Sequence, residues 1–145
     1  MFIGEYTHSI DQKGRMAIPI KFRARLAEGA VVTRGLDQCL FLYPKGEWEK
    51  LASKLTKLPI SQKDARAFSR LMLAGAMDLD IDRQGRINLP QYLQKYAQIK
   101  LQEEVIIAGL YTRIEIWNKK VWEEYKKNAE KKSTDIAEHL GELGV

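Results

Sequence analysis

The chain has 145 residues, of which 45% are hydrophobic and 30% charged, a composition that suits a soluble globular fold with its own core. Its 24 Lys and Arg against 19 Asp and Glu give a net charge of +5 and a pI near 9.3, which permits an anionic partner without requiring one. A lone cysteine, Cys39, excludes an intrachain disulfide and a cysteine-based zinc site, and no apolar run reaches the roughly 18 residues of a membrane helix.

In chain order, Met1 to Glu5 lacks the charged start and apolar stretch of a signal peptide, so a cytoplasmic protein is expected. Phe2 to Ile10 alternates, with Tyr6, His8 and Ile10 on one face and Glu5, Thr7 and Ser9 on the other, and predicts a strand. Asp11 to Gly14 carries turn chemistry, Arg15 to Ile18 is expected to return as the second strand of a β-hairpin, and Pro19 stops ladder pairing. A short helix through Ile20, Phe22, Leu26 and Ala27 then ends at Gly29, with Lys21, Arg23 and Arg25 on its other positions. Ala30 to Arg34 and Leu40 to Tyr43 are two strands around the Gly35-Leu36-Asp37-Gln38 turn, with Cys39 a small buried residue.

Trp48, Leu51, Leu55 and Leu58 form the apolar stripe of a helix that Pro59 ends. Ser61 with Asp64 predicts a capping box opening a second helix, whose stripe is Ala65, Phe68, Met72 and Gly75. Met77, Leu79 and Ile81 alternate with Asp78, Asp80 and Asp82 as a half-buried strand. Near the end, Asn118 caps a helix carrying Val121, Trp122, Tyr125 and Ala129, and Ser133 to Val145 is a short amphipathic helix or a partly ordered tail.

The chain repeats itself. Ile10-Asp11-Gln12-Lys13-Gly14-Arg15-Met16-Ala17-Ile18-Pro19 returns 71 residues later as Ile81-Asp82-Arg83-Gln84-Gly85-Arg86-Ile87-Asn88-Leu89-Pro90. Gly35-Leu36, Leu40, Leu42, Tyr43 and Trp48 recur as Gly109-Leu110, Ile114, Ile116, Trp117 and Trp122 at an offset of 74. Two copies of one unit are therefore expected: residues 1–58 and 77–122, joined by a helix over 59–76 and followed by a C-terminal helix and tail over 123–145. The charge is unequal, since residues 1–74 carry +6 and residues 75–145 carry −1.

Enzyme chemistry finds no support. A GxxxxGK(S/T) phosphate loop, a GxSxG elbow and an HExxH pair are all missing, and His8 and His139 have no neighbours at ligand or triad spacing. Asp78-Leu79-Asp80-Ile81-Asp82 opens like a calcium loop, but Arg83 and Leu89 stand where that loop needs Gly and Glu. No catalytic residue, metal site, cofactor or small-molecule substrate is expected.

The hairpin offers a different chemistry. A two-stranded ribbon fits the major groove of duplex DNA, and an arginine can bind guanine O6 and N7 in a bidentate way. Arg15 either closes the turn by pairing with Asp11 or reads bases, and the clustered positive charge of the first copy favours reading. Lys13, Lys21, Arg23 and Arg25 then grip phosphates, and no aromatic ladder of the kind single-strand binders use accompanies them.

Gly4-Glu5-Tyr6 leading into Asp11-Gln12-Lys13-Gly14-Arg15, then Pro19, Phe22-Arg23 and Thr33-Arg34-Gly35-Leu36-Asp37, with the second Asp82-Arg83-Gln84-Gly85-Arg86, resembles the MraZ family over nearly the whole chain. The resemblance implies an α+β fold of two tandem, pseudo-repeated swapped-hairpin units of the SpoVT-AbrB type. It implies a nucleoid-associated transcriptional regulator, a repressor, of the division and cell-wall gene cluster that binds short G-rich direct repeats in double-stranded DNA. Its DxxxR positions fall on Asp11 and Arg15 and on Asp82 and Arg86, with Gly14 and Gly85 in the turns. Gln84 replaces the basic residue at the position of Lys13, and Arg83 sits beside three aspartates, so Arg86 and Arg83 are expected to contact DNA less strongly.

A swapped-hairpin half does not complete its core alone. The halves meet either within one chain or head to tail between chains, which closes into a ring when the rotation allows; the resemblance implies a ring. The competing expectation is a ring-forming protein-interaction module with only non-specific DNA affinity.

Overall fold

A computed structural model describes residues 1–145. The alternating start of the chain forms strand β1 (Phe2–Ser9), and the turn after it leads into β2 (Arg15–Ala17) and helix α1 (Ile20–Arg23). There follow β3 (Ala30–Arg34), β4 (Leu40–Pro44), α2 (Lys45–Thr56), α3 (Lys63–Ser69) and a π-helical turn over Arg70–Ala74. The second copy supplies β5 (Met77–Leu79), β6 (Arg86–Asn88), α4 (Gln91–Tyr96), β7 (Glu104–Tyr111), β8 (Arg113–Asn118), α5 (Lys119–Lys131) and α6 (Ser133–His139).

Six strands form one antiparallel sheet in the order β1-β7-β8-β4-β3-β5, and β2 and β6 form a separate two-stranded ribbon. The order shows an exchange between the copies. β1 lies on β7, from Phe2 opposite Tyr111 to Ser9 opposite Glu104, and β5 lies on β3 in the corresponding way. The two copies join at the centre through β4 and β8.

The expected return of Arg15 to Ile18 beside Phe2 to Ile10 is corrected here. Only the bridge between Ile10 and Met16 joins them; β2 then leaves and pairs with its own counterpart, Arg15 opposite Asn88, Met16 opposite Ile87 and Ala17 opposite Arg86. The physical reason is burial. With a period of two, this register turns Met16 and Ile87 inward together, both 1% exposed or less, while Arg15, Ala17, Arg86 and Asn88 share the outward face. The exchange is complete within one chain, which is the first of the two arrangements expected for a swapped half.

The ribbon, α1 and α4 cover one face of the sheet. Nineteen buried residues make this core, including Phe2, Ile10, Leu42, Ile107 and Ile116 from the sheet and Met16, Phe22, Ile87 and Leu93 from the cover. Phe22 stands edge-on to Phe2 at 5.1 Å and to Tyr6 at 5.3 Å between ring centroids, each contact contributing about 0.5–1.5 kcal/mol beyond area burial. On the opposite face Cys39, Phe41, Tyr43, Ile106 and Trp117 meet Leu55 of α2, Met72 of the π-helical turn and the Val121–Trp122 side of α5. The alternation read in the sequence thus divides two cores, one on each side of the sheet.

Two local expectations change. Ser61 and Asp64 form no capping box, because the Gln62 N–H bonds the Pro59 carbonyl and α3 begins one residue later with no side-chain cap. Leu58 falls beyond the end of α2 and Met77 lies on an uncovered edge, so both are exposed rather than core. Asn118 does cap α5, accepting from the Val121 N–H at 3.1 Å. The last helix, α6, is exposed along its length.

Candidate functional site

The turn before β2 is built from one carboxylate. Asp11 Oδ1 accepts from the backbone N–H of Lys13 and of Arg15, both at 2.9 Å, while Asp11 Oδ2 accepts from Arg15 Nε at 2.9 Å. Backbone bonds from Asp11 to Arg15 and from Gly14 to Asp11 close the loop. The turn before β6 is the same to the atom. Asp82 accepts from the Gln84 and Arg86 N–H groups and from Arg86 Nε, each at 2.9 Å.

These bonds hold each carboxyl below the usual aspartate range. For Asp11 the Arg15 N–H is the largest cause, with the Lys13 N–H and the Arg15 side chain adding to it and partial desolvation opposing. For Asp82 the order is the Arg86 N–H, then the opposing desolvation, the Arg86 side chain and the Gln84 N–H.

Arg15 and Arg86 follow the same pattern in space. Each gives only Nε to the aspartate, so both terminal nitrogens of each guanidinium have no partner in the chain. Because Arg86 stands opposite Ala17, its backbone lies on the diagonal from Arg15, about 7–8 Å away on the same ribbon face. The ribbon therefore presents two pre-oriented arginines whose free edges match the bidentate acceptor pair of a guanine.

Each turn rests on the other copy's helix. Gly14 has φ +79° and Gly85 φ +77°, a region a side chain rarely adopts, and both are buried. A Cβ on Gly85 would run into the Arg23 guanidinium, and one on Gly14 would lie 2.9 Å from Gln94 Nε2. Arg23 Nε donates to the Ile18 carbonyl at 2.8 Å, and Gln94, its equivalent 71 residues on, donates to the Leu89 carbonyl at 2.7 Å. Arg23 is thus a buttress under the second turn. Arg25 is also held elsewhere: it donates to the Tyr111 carbonyl at 3.1 Å and lies over the Phe2 ring at 4.5 Å, at the far end of β1, about 25 Å along the strand from the first turn.

Lys13, Lys21 and Arg83 are exposed and take part in none of the ion pairs. Lys21 follows the second turn, since Ile18 bonds the Gly85 carbonyl just before α1. Asp78 and Asp80 face solvent beside that turn, as the alternation predicts.

Sequence reasoning missed Lys95 and Lys100. They line an open cleft of about 980 Å³ under the first turn, together with Lys13 and several carboxamides. No local signal marks them, because they reach the first turn only through the exchange of copies. No group of three or more His, Cys, Asp or Glu is placed to hold a metal ion. Burial pushes the Cys39 thiol up, away from the reactive thiolate form.

Comparison with known proteins gives two results. The MraZ family model, described as "MraZ protein, putative antitoxin-like", matches residues 1–71 and again residues 72–142. The chain is 50% identical to a protein of Thermoanaerobacter pseudethanolicus over 145 residues, and 49% identical to one of Caldanaerobacter subterraneus subsp. tengcongensis, covering the whole of each chain. It is 50% identical to a protein of Halothermothrix orenii over the same full length. All three relatives are named transcriptional regulator MraZ.

Proposed function

The chain belongs to the MraZ family, and from that membership we propose that it is a transcriptional regulator that binds duplex DNA with sequence specificity through the β2–β6 ribbon. One observation carries the reading: Arg15 and Arg86 leave the same ribbon face, each with Nε fixed by an aspartate and its terminal nitrogens free. Holding the guanidinium before binding removes part of the ordering cost and fixes the plane in which it meets a base edge.

Within this reading Arg15 and Arg86 bind guanines, Arg86 the more weakly because the exposed Asp78 and Asp80 lie beside its turn, which suits short G-rich direct repeats upstream of the division and cell-wall gene cluster. The protein acts there as a repressor and is nucleoid-associated. Lys13, Lys21 and Arg83 contact phosphates beside the ribbon. Arg23 and Arg25, with their hydrogen bonds inside the fold, support the turn and the end of β1 instead.

We propose a homo-oligomeric ring as the working form. Since the copies already complete each other within one chain, the contact between chains needs another surface. Ile3, Leu110 and Tyr111 are exposed near the β1 edge of the sheet, and Leu36, Leu71 and Met77 are exposed toward the β5 edge. Two unlike apolar patches at opposite edges suit a head-to-tail contact, which closes when the rotation allows. A ring presents several ribbons to tandem repeats and gains affinity by multivalency.

The competing reading, an interaction module with incidental DNA affinity, is separated by sequence. Gel-shift titration on a G-rich repeat duplex and on a scrambled duplex gives a clear preference under the regulator reading and equal affinity under the other.

A further inference from the structure

The structure brings the second copy's lysines to the first copy's turn. Lys95 on α4 and Lys100 in the loop after it line the cleft with Lys13, and no Asp or Glu is among the lining residues. All three lysines are exposed and unpaired. The carboxamides of Gln12, Gln91 and Gln98 border the same cleft and add hydrogen-bonding groups without negative charge.

At the second turn this arrangement is gone. The positions equivalent to Lys13, Lys95 and Lys100, an offset of 71 away, are Gln84, Ala24 and Gly29. The second turn has its own cations, Lys21, Arg23 and Arg83, at positions whose first-turn equivalents are Tyr92, Gln94 and Gln12, so the two ends of the pseudo-symmetric ribbon carry differently placed basic groups and only the first has them around an open cleft.

We infer that the cleft under the first turn is a phosphate-binding groove, in which Lys13, Lys95 and Lys100 grip the DNA backbone flanking the groove that the ribbon enters. The inference rests on the duplex-DNA reading of the preceding subsection and deepens it by naming contacts that the second half of the chain makes. The cleft is open and continuous with the exposed turn, so an extended polyanion can pass along it. Each lysine that neutralises a phosphate releases counterion and adds about 0.9 to the salt slope of binding. Such contacts set register and polarity on the duplex without selecting sequence.

The test uses the full chain with two charge-neutralising variants, Lys95→Gln/Lys100→Gln in the groove and Lys54→Gln/Lys57→Gln at the end of α2 on the other face of the sheet. Binding to the repeat duplex and to the scrambled duplex is measured across a salt series. The groove variant is expected to lose about two units of log–log slope per engaged subunit on both duplexes while keeping its preference between them. The α2 variant keeps the wild-type slope, and Lys95→Arg/Lys100→Arg keeps it as well. An unchanged slope in the groove variant, or an equal fall in the α2 variant, overturns the groove. Equal wild-type affinity for the two duplexes defeats the sequence-specific reading instead, and the slope on the scrambled duplex still decides the groove.

Discussion

Arg15 and Arg86, 71 residues apart in the chain, stand as diagonal neighbours on one face of one antiparallel ribbon, because Arg15 pairs with Asn88 and Arg86 with Ala17. The two DxxxR motifs are thus brought together on a single ribbon face. Arg15→Ala and Arg86→Ala are each expected to weaken repeat binding by about 1–3 kcal/mol per engaged subunit and to relax discrimination at one base position. The two positions lost should differ. Titration against single-base variants of the repeat checks this, and loss at the same position for both variants contradicts the shared-ribbon geometry.

Arg23→Ala and Arg25→Ala have a different signature. Arg23 supports the second turn and Arg25 the end of β1, so their removal should lower thermal stability and leave the salt slope of DNA binding unchanged. A slope reduced by about one for either variant would make it a phosphate contact after all.

Gly85→Ala should destabilise the fold more than Gly14→Ala. Both force a side chain into a left-handed backbone, which costs about 1–2 kcal/mol, and both meet a side chain of the other copy, but the alanine at 85 overlaps three atoms of the Arg23 guanidinium whereas the one at 14 presses on Gln94 Nε2 at 2.9 Å. Denaturant unfolding of the two variants ranks them. Met16→Ala, emptying the buried side of the ribbon, should cost about 2–5 kcal/mol in the same assay.

Much of this surface is legible in the sequence, and the reason is locality. An Asp followed by Gly and Arg within five positions specifies its own turn, and the strand alternation specifies which side is buried. Which strand β2 pairs with is a long-range choice that the same local pattern leaves open, so Arg15 to Ile18 reads equally well as a hairpin return. The halves' charges mislead for the same reason. Arg23 of the positive half ends beneath the second turn, and Lys95 and Lys100 of the negative half end beneath the first.

The turn aspartates carry a pH dependence of known sign. A carboxyl held below its unfolded value stabilises the fold above that value, about 3.9, and the contribution is lost as pH falls through the lower folded value. Carboxyl resonances of Asp11 and Asp82 should therefore titrate below the ordinary aspartate range. Midpoints at or above it would mean that the turns are not closed as described.

The proposed ring assembly through the two apolar edges predicts that Ile3→Asp is a dissociating variant. Light scattering should report a smaller species than wild type with the fold intact by circular dichroism, whereas an unchanged mass removes this edge from the contact.

The central claim is that the paired arginines read sequence, and one ratio tests it most directly: the affinity for the repeat duplex over that for the scrambled duplex, measured for wild type and for the Arg15→Ala/Arg86→Ala chain. The account predicts a ratio that falls to near one in the double variant while lysine-driven, salt-dependent binding to both duplexes remains. A double variant that keeps the wild-type ratio would contradict it.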